Sequence, residues 1–291
     1  MVPGAEPGSK AMDATRVWRS ANGRIRLGFR LLLFLTLGSV VATCAGLLSP
    51  RVLPWSAAPT LLGALLAGWG LLALEGRPPA ALGFRLDRGA VHGLVVGLVL
   101  GVVLGLLAVG LIAAAGGVRW HVDGGDAGDW LSAGLASLWI LALPAAAEEA
   151  MLRGYPLQAL AEAWGAGWGL VVTSIVFALL HLPNPGVGWV GLANITGAGL
   201  FLGALFLRTG SLWWATGAHL GWNWSHAFLT DLSVSGLELL DAPLVEPVLS
   251  GPAWLSGGGF GPEGSVLTTV AVFAAAAWTW RGGRWSVSEG G

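Results

Sequence analysis

A chain of 291 residues with 55% hydrophobic and only 11% charged side chains, and a mean hydropathy of +0.71, lies outside the composition of soluble globular domains. Its net charge of −1 excludes the basic stripe that marks nucleic-acid binders, and its single cysteine, Cys44, excludes an internal disulfide framework and a cysteine metal centre. The composition is that of an all-α polytopic membrane protein, with the lipid bilayer as its surroundings and no nucleic-acid partner.

Residues 1–26 are polar, and Lys10, Arg16, Arg19, Arg24 and Arg26 precede the first apolar run, so this end is read as a basic cytoplasmic tail. The first run is about 20 residues long and lacks the small-residue ending of a cleavable signal peptide, so it is expected to stay as a membrane helix with Cys44 as a small packing residue. Uncharged runs fall at 31–50, 52–74, 89–118, 130–147, 163–207, 209–230 and 264–280. The 163–207 run is too long for one crossing and is interrupted by Pro183-Asn184-Pro185, so it divides in two and gives about eight transmembrane helices. The expected organisation is a tail at 1–26, a membrane domain at 27–282 with its catalytic core at 130–230, and a tail at 283–291.

An even number of crossings puts both termini on one side. Arg281 and Arg284 after the last span, with Arg77, Arg85 and Arg88 in the second loop, mark that side as cytoplasmic. The loops at 119–129 and 231–263 are acidic and fall outside; the form of the second does not follow from its Gly, Pro and Ser content. Gly93, Gly97, Gly101 and Gly105 recur every four residues in the third span and predict a ridge on which another helix packs closely. Many of the 17 tryptophans, such as Trp55, Trp130, Trp164, Trp168 and Trp280, sit at run ends, where an amphipathic ring suits the membrane interface.

Against this apolar background a few polar positions stand out. Glu148-Glu149-Ala150-Met151-Leu152-Arg153 ends an 18-residue run without charge. An Asp, Lys or Arg at the centre of a membrane helix costs on the order of 2.5–3.5 kcal/mol on insertion scales, so intramembrane charges point to function. Glu149 and Arg153 are four apart and share a helix face in the favourable order, whereas Glu148 is rotated by about 100°. Glu149 is therefore expected to pair with Arg153, leaving Glu148 free for chemistry. Phe177 and His181 share one face at the end of the next span, and His219 and Asn223 share another. His226, seven residues after His219, is expected nearer the outer interface or behind the site.

Glu148 and His181 are 33 residues apart with Trp164-Gly165 at the midpoint, so in a helical hairpin each lies about 24 Å from the turn and they meet at one level. His219 lies about 15 Å beyond the turn at Arg208–Ser211 and needs tilt, or a kink at Pro144, to join them. A carboxylate, two imidazoles and a carboxamide converging inside a membrane suit hydrolysis: a base activates water, an imidazole orients it, and donors stabilise the oxyanion. Two His and one Glu are also the ligand set of a catalytic zinc. Without a His-Glu-x-x-His motif the residues favour the metal-free form and leave a divalent metal open. A proton-coupled transporter using Glu148, Glu149 and His181 as a relay competes with this reading, but no internal repeat of broken helices accompanies it. A non-catalytic scaffold or immunity factor would carry the insertion cost of these charges without using them.

Glu148-Glu149-x-x-x-Arg153, Phe177-x-x-x-His181 and His219-x-x-x-Asn223, in that order, resemble the three motifs of the type II CAAX prenyl endopeptidase family, whose bacterial members are labelled CPBP or Abi intramembrane proteases. The similarity covers roughly residues 130–230 and includes Gly154 and the Gly210-Ser211-Leu212 lead into the last motif. The resemblance implies an eight-helix endopeptidase of a bacterial plasma membrane, acting on a protein or peptide substrate. In it Glu148 and His181 would activate water, and His219 and Asn223 would form the oxyanion site. Family members have been described both as metalloproteases and as glutamate proteases, so the resemblance leaves the metal open. Eukaryotic members cut prenylated C-terminal tails, and nothing in this sequence shows a prenylated substrate. The family's best-known members open to the cytoplasm, whereas the topology here puts the site in the middle or outer half of the membrane.

Overall fold

The computed structural model describes residue 18, residues 24–52 and residues 54–281. The tail readings for most of 1–26 and for 283–291 fall outside the described residues, as do Lys10, Arg16, Arg19 and Arg284. The chain is mostly helical. In order come α1 (Leu27–Gly46), α2 (Ala58–Leu74), α3 (Arg88–Ala114), β1 (Val118–Val122) and α4 (Ala127–Glu149), which runs through a π-helical turn (Ala150–Gly154) into α5 (Tyr155–Trp164). Then follow α6 (Ala166–Leu180), α7 (Trp189–Thr209) and α8 (Leu212–Trp224), which ends in a second π-helical turn (Ser225–Leu229). β2 (Val245–Leu249), the short α9 (Ala253–Ser256) and α10 (Val266–Arg281) complete the described fold.

Five helical stretches among the described residues are long and apolar enough to cross a membrane: Leu27–Gly46, Trp55–Leu74, Arg88–Ala114, Ala127–Trp164 and Trp189–Thr209. The remaining uncharged runs are also helical, but α6, α8 and α10 are shorter than that, and α6 extends only about 22 Å at 1.5 Å per residue against a hydrocarbon core of about 30 Å. The expectation of a purely helical chain is corrected at one place. β1 and β2 form an antiparallel two-stranded ladder that pairs Val118 with Leu249 and Val122 with Val245. The valines and the tryptophan of Val118-Arg119-Trp120-His121-Val122 carry β propensity, a signal hidden by the polar loop around them. The ladder ties the two acidic loops to each other, so both lie at one end of the helices.

The opposite end is held by charge. Arg30, near the start of α1, donates from Nε to the Tyr155 hydroxyl (2.8 Å) and from Nη2 to Glu162 (2.9 Å). The Tyr155 hydroxyl donates to Glu75, just past α2, at 2.5 Å. Arg77 donates to Glu162 (2.8 Å) and to the Gln158 carboxamide oxygen (2.7 Å). The basic and acidic ends of α1, α2 and α5 thus meet within about a turn of their helix termini, where charge reaches the headgroup region.

The glycine ridge of α3 is the surface on which α8 lies. A Cβ at Gly97 or Gly101 would collide with the backbone of Trp214 or Ala218, and Gly217 and Gly221 of α8 press equally on the backbone of Leu94 and Leu98. Missing side chains on both partners let the two backbones touch, which maximises van der Waals contact where lipid supplies no hydrophobic drive. α1 buries only Arg30 and Phe34. Cys44 is exposed on that helix, so it is not the packing residue the sequence suggested. The segment 231–265 is ordered: a Val234–Leu237 bridge, β2, α9 and two 3-10 turns at Gly258–Phe260 and Pro262–Gly264, with Gly236, Gly257, Gly258 and Gly261 at positive φ making the reversals.

Candidate active site

The hairpin expected from the spacing of Glu148 and His181 forms around Gly165, at φ +86°, between the end of α5 and the start of α6. Glu148 and Glu149 close α4, and Arg153 follows inside the π-helical turn. Asn223 lies next to the last residue of α8, just before the second such turn. π-helical turns shift the side-chain register by one residue and recur at functional sites.

Glu149 is the hub of the buried polar cluster. Its Oε1 accepts from Arg153 Nη1 at 3.1 Å and from His219 Nδ1 at 2.9 Å, with Glu149 and Arg153 fully buried. The Arg153 guanidinium stacks over the Phe177 ring, 4.2 Å from its centroid. The same ring meets His181 and His219 edge-on at 4.9 and 5.8 Å between centroids. Phe177, named in the sequence only as a neighbour of His181, is the apolar post around which three polar side chains are arranged.

Hydrogen-bond partners fix the imidazoles. The His181 Nδ1 lies 2.8 Å from the Phe177 carbonyl, which can only accept, so this nitrogen carries a proton and a neutral His181 presents the lone pair of Nε2. His219 donates from Nδ1 to the Glu149 carboxylate, and its Nε2 points towards Glu148. The Glu148 Oε2 is 3.7 Å from that nitrogen, too far for a direct hydrogen bond and suited to an intervening water. This Oε2, together with the second carboxylate oxygen of Glu149 and the Nε of Arg153, has no protein partner.

Glu148, His181, His219 and Asn223 line one cavity of about 480 Å³. Its remaining wall is largely apolar, with Ile140, Leu141, Phe201 and Leu202 among its residues. Glu149 and Arg153 stand behind it. Four of the six residues singled out in the sequence therefore face a common space, and the other two support one of them. Of the two places expected for His226, the structure has the one behind the site: it is fully buried, not interfacial, and packs against the cavity-lining Trp222 ring at 4.5 Å between centroids. Sequence reasoning missed Ser235 and Glu263, which reach the cavity from the segment 231–265. Nothing distinguished Glu263 from the other acidic residues of that segment.

Whether these groups fit a metal turns on their spacing. The chemistry of the donors suits one: two Nε2 atoms, each with its ring partner engaged behind it, and an unpartnered carboxylate oxygen. Among the described residues, however, the one trio of His, Cys, Asp or Glu whose ligand atoms lie within 4.8 Å of one another is Asp231, Asp241 and Glu246, not Glu148, His181 and His219. As placed, the three do not gather around one ion.

No curated protein matches this chain. Residues 130–225, the stretch that carries all six polar residues, match the family described as type II CAAX prenyl endopeptidase Rce1-like, and that match supports the kinship suggested by the three motifs.

Proposed function

We propose that this protein is an intramembrane endopeptidase of the CAAX-protease type, with Glu148 as the general base. The observation that carries this is the partnerless Glu148 oxygen facing His219 Nε2 across 3.7 Å, in a cavity that His181 and Asn223 also line. In this reading a water sits beside Glu148 with one proton directed at the His181 Nε2 lone pair. Glu148 takes the other proton as the water oxygen attacks the peptide carbonyl. The developing oxyanion is met by the Asn223 carboxamide and by a protonated His219 donating from Nε2. Collapse of the tetrahedral intermediate breaks the C–N bond, and Glu148 returns its proton to the leaving amine. Glu149 and Arg153 hold His219 in place and take no part in proton transfer.

The same reading takes the chain through the bilayer about eight times, the five long stretches being joined by α6, α8 and α10, which complete crossings in a locally thinned or protein-lined region. Both acidic loops are joined by the β ladder at one end, and the ends of α1, α2 and α5 that pair Arg30 and Arg77 with Glu75 and Glu162 meet at the other, the side of the basic residues Arg26, Arg77, Arg85 and Arg88. With the basic end cytoplasmic, the cavity opens nearer the outer face, in contrast to the cytoplasmic opening of the family's best-known members.

The test is incubation of the purified protein with a library of lipidated and unlipidated peptides in ¹⁸O-labelled water. Hydrolysis leaves one label in each new carboxylate. Cleavage of at least one peptide, surviving thorough chelation, is expected. Activity lost to chelator and restored only by added metal would turn Glu148, His181 and His219 into ligands. Absence of any cleavage would favour a transporter or a scaffold.

A further inference from the structure

We infer that Glu263 is a positioning residue that holds the segment 231–265 as the outer wall of the cavity and so sets how tightly a substrate binds. This rests on the endopeptidase reading for its kinetic consequence, though not for its structural one. Val234, Ser235, Leu237 and Leu239 of this segment line the cavity together with Glu263. A long stretch with glycines at its reversals loses much conformational entropy on ordering, so something specific must fix it.

The fixing contacts converge on the turn Pro262–Gly264. The Glu263 side chain, in a residue only 6% exposed, accepts from the Trp222 indole Nε1 at 2.8 Å and from the Ser235 hydroxyl at 2.5 Å. The Asn194 carboxamide of α7 donates to the Glu263 and Ser265 carbonyls at 2.7 and 2.8 Å. One carboxylate thus joins the two distant parts of the segment to α8. A second tie runs alongside: Asn184, three residues after His181, donates to the Ser235 carbonyl at 2.8 Å. Phe260 is buried in the cluster that contains Phe177 and Leu152. The wall is therefore seated directly on the loop and the ring that hold His181.

Both donors to Glu263 are neutral, so the latch needs acceptor oxygens in the right places and not a negative charge. It also acts on the wall more than on the chemistry. α8 is already fixed by its backbone contact with α3 and by the His219–Glu149 hydrogen bond. Losing Glu263 should free the segment while His219 and Asn223 stay in place.

Two readouts test this. In a Cys44→Ser background, Val234→Cys places the chain's one thiol in the wall, where the native side chain is 5% exposed. Adding Glu263→Ala should speed maleimide labelling of that thiol by about tenfold or more, because the wall opens locally. In the otherwise native protein, with the best-cut library peptide, Glu263→Ala should raise KM by about tenfold and leave kcat within about threefold, the pattern of lost binding common to ground and transition states. Glu263→Gln keeps an acceptor for Trp222 and can donate to the Ser235 oxygen, so it should restore both readouts. Unchanged labelling in Glu263→Ala, a fall in kcat at constant KM, or a Gln variant as impaired as Ala would each overturn the inference. If no peptide is cut, the endopeptidase reading fails and the labelling arm still decides the wall. If Glu263→Ala does not accumulate, Ser235→Ala removes one of the two donors and must move labelling in the same direction.

Discussion

Two charged clusters follow one another on the single helical stretch Ala127–Trp164, their outermost glutamates, Glu148 and Glu162, lying about 21 Å apart along its axis. They differ in what they leave undone. Along α5, Tyr155, Gln158 and Glu162 engage Arg30, Glu75 and Arg77, and none of their polar atoms is buried without a partner. In the middle, Glu148, Glu149 and Arg153 each keep a buried polar atom with no protein partner. Unsatisfied buried groups carry a desolvation cost, and native structures rarely retain them without a use such as a bound water, substrate or ion. The saturated cluster clamps helices together; the unsaturated one borders a cavity and keeps capacity for something not in the chain.

The largest effects should come from breaking the unsaturated cluster, and its two glutamates should break differently. Glu148→Gln keeps shape and volume and removes the base, so peptide cleavage should fall to background with the thermal midpoint unchanged. Glu149→Gln removes the anion shared by Arg153 and His219 and strands a fully buried guanidinium, a kind of loss that costs about 3–5 kcal/mol. It should lower the midpoint as well as the activity. Turnover and melting measured on both variants decide the matter: more than a tenth of native turnover in Glu148→Gln would remove the base assignment.

Asn223→Ala should have the next largest effect. Losing one oxyanion donor costs roughly 10²–10³ in turnover, and KM should barely move because the oxyanion exists only in the transition state. A defect confined to KM would instead make Asn223 part of the substrate pocket, beside the wall latched by Glu263.

Much of this contrast was legible in the sequence because charges are conspicuous in apolar runs. The four-residue spacing of Glu149 and Arg153, the hairpin centred on Gly165 and the glycine ridge of α3 all follow from local geometry, and the structure contains each of them. What the sequence concealed was long-range. Glu149 reaches His219 across 70 residues, and Glu263 reaches Trp222 across 41, through contacts that no local period encodes. Cys44 was misread because in a membrane protein an apolar residue gains as much from lipid as from a core, so hydropathy does not say which way it faces. The form of 231–265 was unreadable for a related reason: its order comes from side chains of α7 and α8 and not from its own composition.

The smallest effect sharpens the comparison from the other side. Tyr155 is fully buried, and its hydroxyl accepts from Arg30 and donates to Glu75. Tyr155→Phe removes both bonds while keeping the ring that stacks on Phe34 at 5.8 Å. Hydrogen bonds to charged groups contribute about 1.5–3 kcal/mol each. Arg30 still has Glu75 at 2.9 Å and Glu162 at 2.9 Å, however, so the pair is not stranded and the net loss should be near 1 kcal/mol. If this cluster only clamps helices, the thermal midpoint should fall by a few degrees and cleavage at a temperature well below it should stay within about threefold of native. α5 is joined to Glu148 through the π-helical turn Ala150–Gly154 alone, so displacement along α5 has a short path to that carboxylate. A tenfold loss of turnover with an unchanged midpoint would mean that the clamp sets the position of Glu148, and that the two clusters work as one.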